Sequence, residues 1–319
     1  MSGGIDPGCV RIRLAVHDGR VDAVEVRSER PQVARMLCGR PADAAVRLVP
    51  LLFALCGKAQ GRAAELALAA ARGAAVTAQL DPAIAAEAMR EHLWRWLLDL
   101  PPLLGLPPLK EEFASAVASL ARDERQSIAA LLVGEAILAI EHRLDALPDC
   151  EAAASCCLPA MDAAASRNAW PRLDAAFCLN PTWRGEAAET GALARRGGGT
   201  GKAGTQRWQA RLAELRDWAA GTAKVGAGGT ASSITLVPGT GRALVETARG
   251  LLMHEISLDG DRVADYLIVA PTEWNFHPRG PLPRWLLGHD ASDREALRSL
   301  VARCVAALDP CVRWELEGI

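Results

Sequence analysis

An excess of charge of either sign is missing from this chain. Among 319 residues, Lys and Arg number 36 and Asp and Glu 38, a formal net charge of −2. A near-neutral chain has no global electrostatic attraction to nucleic acid or to an acidic membrane. Aromatic residues are scarce at 4%, while half of the residues are hydrophobic, mostly Ala, Leu and Val. That bias excludes a disordered chain and suits a helix-rich globular one. Long apolar runs are also lacking. Ile128–Ile140 is about a third short of the ~18 residues a membrane span needs, and Glu135 interrupts it. Pro101, Pro102, Pro107 and Pro108 break the apolar stretch from Trp94 to Leu109. Met1–Pro7 has no basic region leading into an apolar one, so no secretory signal is expected. These absences predict a soluble, cytoplasmic protein with no membrane insertion and no nucleic-acid partner.

Familiar catalytic signatures are missing too. No Ser/His/Asp set and no Cys/His spacing typical of zinc occurs. Gly199-Thr200-Gly201-Lys202 lacks the spacing of a phosphate loop and follows no apolar strand, so a flexible loop is the expectation there. What the chain does have is length enough for a real core, at 33.8 kDa, and nine cysteines. An odd number of cysteines in a chain too long to need staples implies reduced thiols in a reducing compartment.

Residues 9–27 alternate through Val10, Ile12, Leu14 and Val16, turn at Asp18-Gly19, and alternate again through Val24 and Val26, which predicts a β-hairpin. Helices are predicted over 42–55 and 62–72, separated by Cys56-Gly57-Lys58. A further helix starts at the Asp81-Pro82 cap and stops at Pro101, and two more cover 109–121 and 124–144. The stretch 145–181 is less regular. Loops are predicted at 197–205 and 226–233, with a helix over 206–219 between them. A second hairpin alternates from Leu244 through His254 and Leu258, turns at Asp259-Gly260 and returns through Val263 to Ile268. Ser292-Asp293-Arg294-Glu295 reads as a capping box for a helix that Asp309-Pro310 stops.

Six short motifs then resemble, in order, the large subunit of nickel–iron hydrogenases. They are Leu37-Cys38-Gly39-Arg40; Leu55-Cys56-Gly57; Glu189-Thr190-Gly191-Ala192-Leu193-Ala194-Arg195; Glu246-Thr247-Ala248-Arg249-Gly250 with His254; Pro271-Thr272-Glu273-Trp274-Asn275; and Asp309-Pro310-Cys311, with both hairpins in their places. The resemblance covers almost the whole chain. It implies one continuous domain over residues 1–319, of α+β class and mainly α: a hydrogenase large-subunit-like helical bundle with small β-hairpin regions.

The departures narrow what the resemblance implies. In that family each Cys-x-x-Cys gives nickel one terminal thiolate and one that bridges to iron. Here the first motif reads Cys56-Gly57-Lys58-Ala59 and the second Cys311-Val312-Arg313-Trp314, so Ala59 and Trp314 stand at the bridging positions. Two thiolates are too few for a four-thiolate nickel site. Ala34 falls where the family's acidic proton relay is expected, and Glu317 where its carboxy-terminal histidine is. The chain ends without the extension that a maturation protease removes from many large subunits. Hydrogen turnover is therefore not expected, and the protein is read as a non-catalytic one.

Arg249 and Thr272, with Pro271 beside it, match the family residues that hold cyanide ligands on iron. Cys56 and Cys311 remain as candidate iron ligands. This pattern resembles the HupK/HoxV group of hydrogenase assembly proteins. It implies a scaffold or carrier for the Fe(CN)2(CO) unit, bound transiently and without a complete nickel site. The implied partners are the hydrogenase maturation proteins and the hydrogenase large-subunit precursor. The alternative is a metal-free large-subunit homologue acting as an interaction or chaperone module. At the level of single residues, Arg249 is otherwise a structural ion pair with Glu246 or another acid, and Thr272 otherwise a turn residue. His254 reads as a hydrogen-bonded core histidine more readily than as a ligand. Trp274 and Trp314 read as packing. Cys38, Cys150, Cys178 and Cys304 read as small hydrophobes, Cys156 and Cys157 as incidental, and Cys9 as near the surface.

Overall fold

The alternation at the amino end becomes a hairpin. In a computed structural model, which describes residues 8–319 except 54, 149, 153–155, 200 and 225, Cys9–His17 (β1) pairs antiparallel with Arg20–Glu29 (β2). Asp18 and Gly19 both take positive φ, 47° and 71°, as a tight two-residue turn between twisted strands requires. Met1–Pro7, the segment without a targeting pattern, and Thr200 of the glycine-rich stretch lie outside the described residues. Among those described, no helix is long and apolar enough to cross a membrane.

One 3-10 turn, Val33–Leu37, leads to Ala42–Leu52 (α1) and Gly57–Ala71 (α2). α2 begins earlier than its sequence suggests, because the Glu87 carboxylate accepts from Lys58 N at 2.9 Å and Ala59 N at 3.0 Å. An acid from elsewhere caps a helix start that has no capping side chain of its own. Gln79–Leu80 (β3) precedes Pro82–Trp94 (α3), where Asp81 Oδ1 accepts from Ala83 N and Ile84 N as its sequence signals. The helical path does not stop at Pro101. It passes through one π turn, Arg95–Asp99, into Leu100–Leu103 (α4), where Pro101 and Pro102 bring no N–H to the preceding turn and Leu97 O accepts from Leu109 N at 2.7 Å.

Lys110–Ala121 (α5) agrees with the periodicity, but the single helix expected over 124–144 is two, Arg125–Leu132 (α6) and Glu135–Ala146 (α7). Gly134, at ψ 160°, breaks it. Glu151–Ala152 (β4), Ala163–Ala169 (α8), Ala175–Leu179 (α9), Thr182–Trp183 (β5), Glu186–Ala187 (β6), Ala192–Arg195 (α10) and Gly201–Lys202 (β7) follow as short pieces. Ala203–Ala219 (α11) is long, so the loop expected at 197–205 already contains a strand residue pair and a helix start.

The largest correction is the main sheet. Thr230–Val237 (β8), Thr240–Thr247 (β9), Gly250–Asp259 (β10) and Arg262–Val269 (β11) form an antiparallel meander, closed by β3 into five strands ordered β11-β10-β9-β8-β3. The expected loop at 226–233 is thus half strand, and the expected second hairpin is only the outer pair. α2 lies directly on this sheet: Ala59, Ala63, Ala64, Ala67 and Ala70 are fully buried. A Cβ on Gly241 of β9 would stand 2.2 Å from both Ala67 O and Ala71 N, so small residues on both sides permit backbone contact.

Pro271–Asn275 (α12), Pro281–Leu286 (α13) and Arg294–Leu308 (α14) complete the helices. α14 is capped by Asp293, which accepts from Glu295 N and Ala296 N, and not by Ser292. The last strand, Arg313–Glu317 (β12), runs parallel to β1, so residues near both ends of the chain share one sheet, ordered β12-β1-β2. With 48% helix and 23% strand, the fold is α+β and mainly α.

Candidate functional site

Asn275 joins the motifs that are far apart in sequence. Its Oδ1 accepts from Thr190 N at 2.9 Å, and its Nδ2 donates to Arg249 O and Leu308 O, each at 3.3 Å. One amide side chain therefore fixes the loop before α10, the β9–β10 turn and the end of α14. Thr190 Oγ1 also accepts from Leu251 N at 2.9 Å. Gly250 has φ 131°, and a Cβ there would stand 2.4 Å from Thr190 Cγ2, so only glycine fits beside Arg249.

The turn thus built delivers Arg249 to a buried position. Its Nε donates to Asp309 Oδ1 at 3.2 Å and its Nη2 to Glu91 Oε2 at 3.0 Å. Asp309 also receives Arg95 Nη2 at 2.7 Å. Burial works to raise the Asp309 pKa, but Arg249, Arg95 and Arg211 together outweigh it and hold the carboxyl well below its usual range. Burial likewise opposes the Arg249 charge, and Asp309, Glu91 and the thiols of Cys311 and Cys56 reverse that, raising its pKa. Glu246, the acid named with Arg249 from the sequence, instead pairs with Arg195 at 2.9 Å.

Cys56 and Cys311 line one cavity of about 700 Å³. Cys56 is the residue before α2, and Cys311 follows the left-handed Asp309 (φ 55°) that ends α14. The Cys311 Sγ lies 3.0 Å from Thr272 Oγ1, which also accepts from Cys311 N at 3.3 Å. Pro271 opens α12 and places Thr272 there. Burial, then the neighbouring Cys311, push the Cys56 thiol up to about 12, against the pull of Arg249. Arg30, Arg95, Asp309 and Trp314 share the cavity wall, whereas Arg249, Thr272 and Pro271 are not among its lining residues. Three polar atoms of these residues, Arg30 Nε, Arg95 Nε and Asp309 Oδ2, are buried behind the wall and have no hydrogen-bond partner.

Other candidates fall elsewhere. Both ring nitrogens of His254 are engaged, Nδ1 with Tyr266 Oη and Nε2 with Gln60 Oε1, each at 2.9 Å. Burial lowers its pKa to about 3, so it is a neutral core histidine. Gln60 in turn stands 3.8 Å from Cys56 Sγ. Glu317 pairs with Arg11 and Arg13 on the amino-terminal sheet. Trp274 is fully buried among Trp170 and Phe177. Cys9 is only 2% exposed, covered rather than open to solvent. Among the described residues, no three His, Cys, Asp or Glu side chains form a group able to hold a metal ion.

Sequence reasoning missed Glu91 and Arg95, whose only signal is their place with Glu87 at i, i+4 spacing along one face of α3 and its π turn. It also missed Arg30, which no motif marks.

The fold is that of the hydrogenase large subunit. It superposes on the nickel–iron–selenium hydrogenases of Desulfomicrobium baculatum and Desulfovibrio vulgaris Hildenborough with a TM-score of 0.64 in each case. The match covers 93% of this chain and 95% and 94% of those chains, at 14% identity, a level that speaks for the fold alone. Residues 202–313 match the family described as nickel-dependent hydrogenase. Across nearly the full length, the chain is 34% identical to the hydrogenase expression/formation protein HoxV of Cupriavidus necator, over 96% of this chain and 95% of that protein. It is 31% identical to HupK of Azotobacter vinelandii, over 97% and 98%. HupK of Rhizobium leguminosarum is 32% identical over 97% and 96%. The chain belongs to the HoxV/HupK family of hydrogenase expression/formation proteins.

Proposed function

We propose that the protein carries the Fe(CN)2(CO) unit during hydrogenase maturation and releases it to the large-subunit precursor. The observation that supports this reading most is that Cys56 and Cys311, from opposite ends of the chain, line a single cavity, with the Thr272 hydroxyl 3.0 Å from the second sulfur. Two soft donors without a third protein ligand suit an iron that arrives with three diatomic ligands of its own. A bare cation in the same place would be short of ligands. In this reading Arg249, committed through Nε and Nη2 to Asp309 and Glu91, offers Nη1 to a cyanide nitrogen. Thr272 offers its hydroxyl to a second acceptor. Ala59 and Trp314, standing where the resemblance places bridging thiolates, leave no complete nickel site, so the protein is non-catalytic. The pocket then binds iron loosely enough to give it up. The work belongs in the cytoplasm, with the maturation proteins as donors.

The test is to make the full chain together with the maturation proteins, purify it without oxygen, and measure iron and the infrared bands of bound cyanide and carbon monoxide. Both are expected in the wild type and lost in Cys56→Ala and Cys311→Ala. Wild-type protein without these bands, with both variants still supporting hydrogenase formation, overturns the reading in favour of a metal-free interaction module.

A further inference from the structure

Behind Cys56 lies a row of three buried polar side chains whose hydrogen bonds can run in one direction only. Gln60 is the single polar residue among the buried ones of α2, which are otherwise Ala, Gly and Leu. It follows Cys56 by one helical turn, and its Oε1 meets His254 Nε2 of β10 at 2.9 Å. His254 Nδ1 meets the hydroxyl of Tyr266, the one tyrosine of the sequence, also at 2.9 Å. That hydroxyl has no other partner among the described residues, so its hydrogen goes to Nδ1. His254 is neutral and carries one ring proton, which therefore sits on Nε2 and is donated to Gln60 Oε1. The carbonyl end of the amide is thus committed to the histidine. The amide nitrogen is left facing Cys56 Sγ, at 3.8 Å.

Packing does not call for this arrangement. Burying an amide, an imidazole and a phenol costs stability unless each is bonded, and apolar residues of similar shape would fill the same space. What the row does supply is an N–H aimed at a sulfur. A metal-bound sulfur carries more negative charge than a thiol, so this bond is stronger in the loaded state than in the empty one. It also draws density from the sulfur and so lowers what the sulfur donates to the metal. Bonds in a row polarise one another, and Tyr266 and His254 add to the effect.

We propose that Gln60 is a positioning residue that regulates the hold of Cys56 on a metal: its amide, turned by His254 and Tyr266, donates to the Cys56 sulfur. Gln60 is not among the residues lining the cavity and touches no cargo; it acts through the sulfur. The donor favours loading over the empty thiol and moderates the electron density that the bound sulfur gives to iron. This rests on the carrier reading in one respect, that Cys56 is a metal ligand.

The experiment compares full-length wild type, Gln60→Met and Gln60→Met/His254→Leu/Tyr266→Phe. The triple variant replaces the whole row by apolar groups of similar shape, where the single one leaves the His254 N–H unmet. Each chain, made alone, is titrated with cadmium at neutral pH, and Cys56→Ala identifies the site that is counted. Each is also made with the maturation proteins, purified without oxygen and examined by infrared spectroscopy, with thermal unfolding as the check on folding. In both variants the cadmium affinity of that site is expected to fall about tenfold, the lower end of the cost of losing an outer-shell bond at a metal site. The carbon monoxide band is expected at lower wavenumber, because a sulfur without the N–H gives iron more density to pass back to the carbonyl. A merely structural Gln60 moves neither in the folded triple variant. Folded variants with wild-type cadmium affinity, or loaded ones with an unshifted band, overturn the inference and leave the carrier reading intact. If Gln60→Met does not fold, the triple variant decides. A wild type without carbon monoxide and cyanide bands overturns the carrier reading, and the cadmium comparison still decides the role of Gln60. Cadmium binding that Cys56→Ala leaves unchanged overturns the inference outright.

Discussion

The Cys311 sulfur and the Thr272 hydroxyl oxygen lie 3.0 Å apart, and the Cys311 amide donates to the same oxygen at 3.3 Å. One hydroxyl thus fixes both the backbone and the thiol of a candidate iron ligand. Thr272→Val keeps the shape but removes the acceptor from that amide. It is expected to cost about 1–3 kcal/mol, the penalty of an unmet buried donor. Thr272→Ser should retain most of the stability. Urea unfolding of the two variants checks this, and equal midpoints for both would refute the hydrogen-bonding role.

Asp309 stands between Arg249 and Arg95 and is held ionised by them. Removing its charge leaves two buried cations with one acid fewer, so Asp309→Asn is expected to destabilise by about 3–5 kcal/mol. Arg95 keeps Asp99 and Arg249 keeps Glu91 as a second partner, so each cation retains one acid after the loss. Because the folded-state pKa is depressed, this carboxylate contributes its stability above its unfolded pKa of about 3.9 and loses it as the pH falls through the lower folded value. Acid unfolding should therefore be less steep in Asp309→Asn than in the wild type. Parallel acid-unfolding curves would show that the depressed pKa contributes nothing to stability.

Gly241 tests the packing of α2 on the main sheet. A methyl group there meets two backbone atoms of α2 at 2.2 Å, and neither Ala67 O nor Ala71 N can rotate away as a side chain does. Gly241→Ala is expected to destabilise by about 3 kcal/mol or more, at the upper end of overpacking. A change in thermal midpoint of under a degree would mean that α2 can lift from the sheet at no cost.

How much of this was legible in the sequence depended on where the polar groups go. The amino-terminal hairpin was readable because β1 and β2 alternate cleanly and Asp18-Gly19 is a turn pair. β8 was not, because Thr230, Ser232 and Ser233 look like loop residues. In the fold they are buried, with Ser232 Oγ accepting from Ala163 N and Ser233 Oγ from Val76 N. β9 was hidden by Arg242, which is fully buried and donates to Glu255 across the β9–β10 pair and to Ser166 O and Trp170 O. A charged residue in a strand reads as solvent-facing unless its partner is known. The same limit applied at the site. Arg249, Thr272, Cys56 and Cys311 sat in motifs and could be named, while Glu91, Arg95 and Arg30 acquire their meaning only from residues 158, 214 and 281 positions away.

In the proposed carrier, the Cys56 thiol sets the pH dependence of metal uptake. With its pKa pushed up to about 12 by burial and by Cys311, it is protonated at neutral pH. Only the thiolate is a metal ligand, so binding must release its proton. Raising the pH makes that release easier, and the apparent affinity for a thiophilic ion should rise by ~10-fold per pH unit on account of this one group. Cadmium titration from pH 6 to pH 8, followed by thiolate-to-metal absorption, measures the slope. Cys56→Ala should bind more weakly and lower the slope by about one proton per ion. If the variant keeps the wild-type slope, Cys56 does not give up a proton to the metal and is not a ligand.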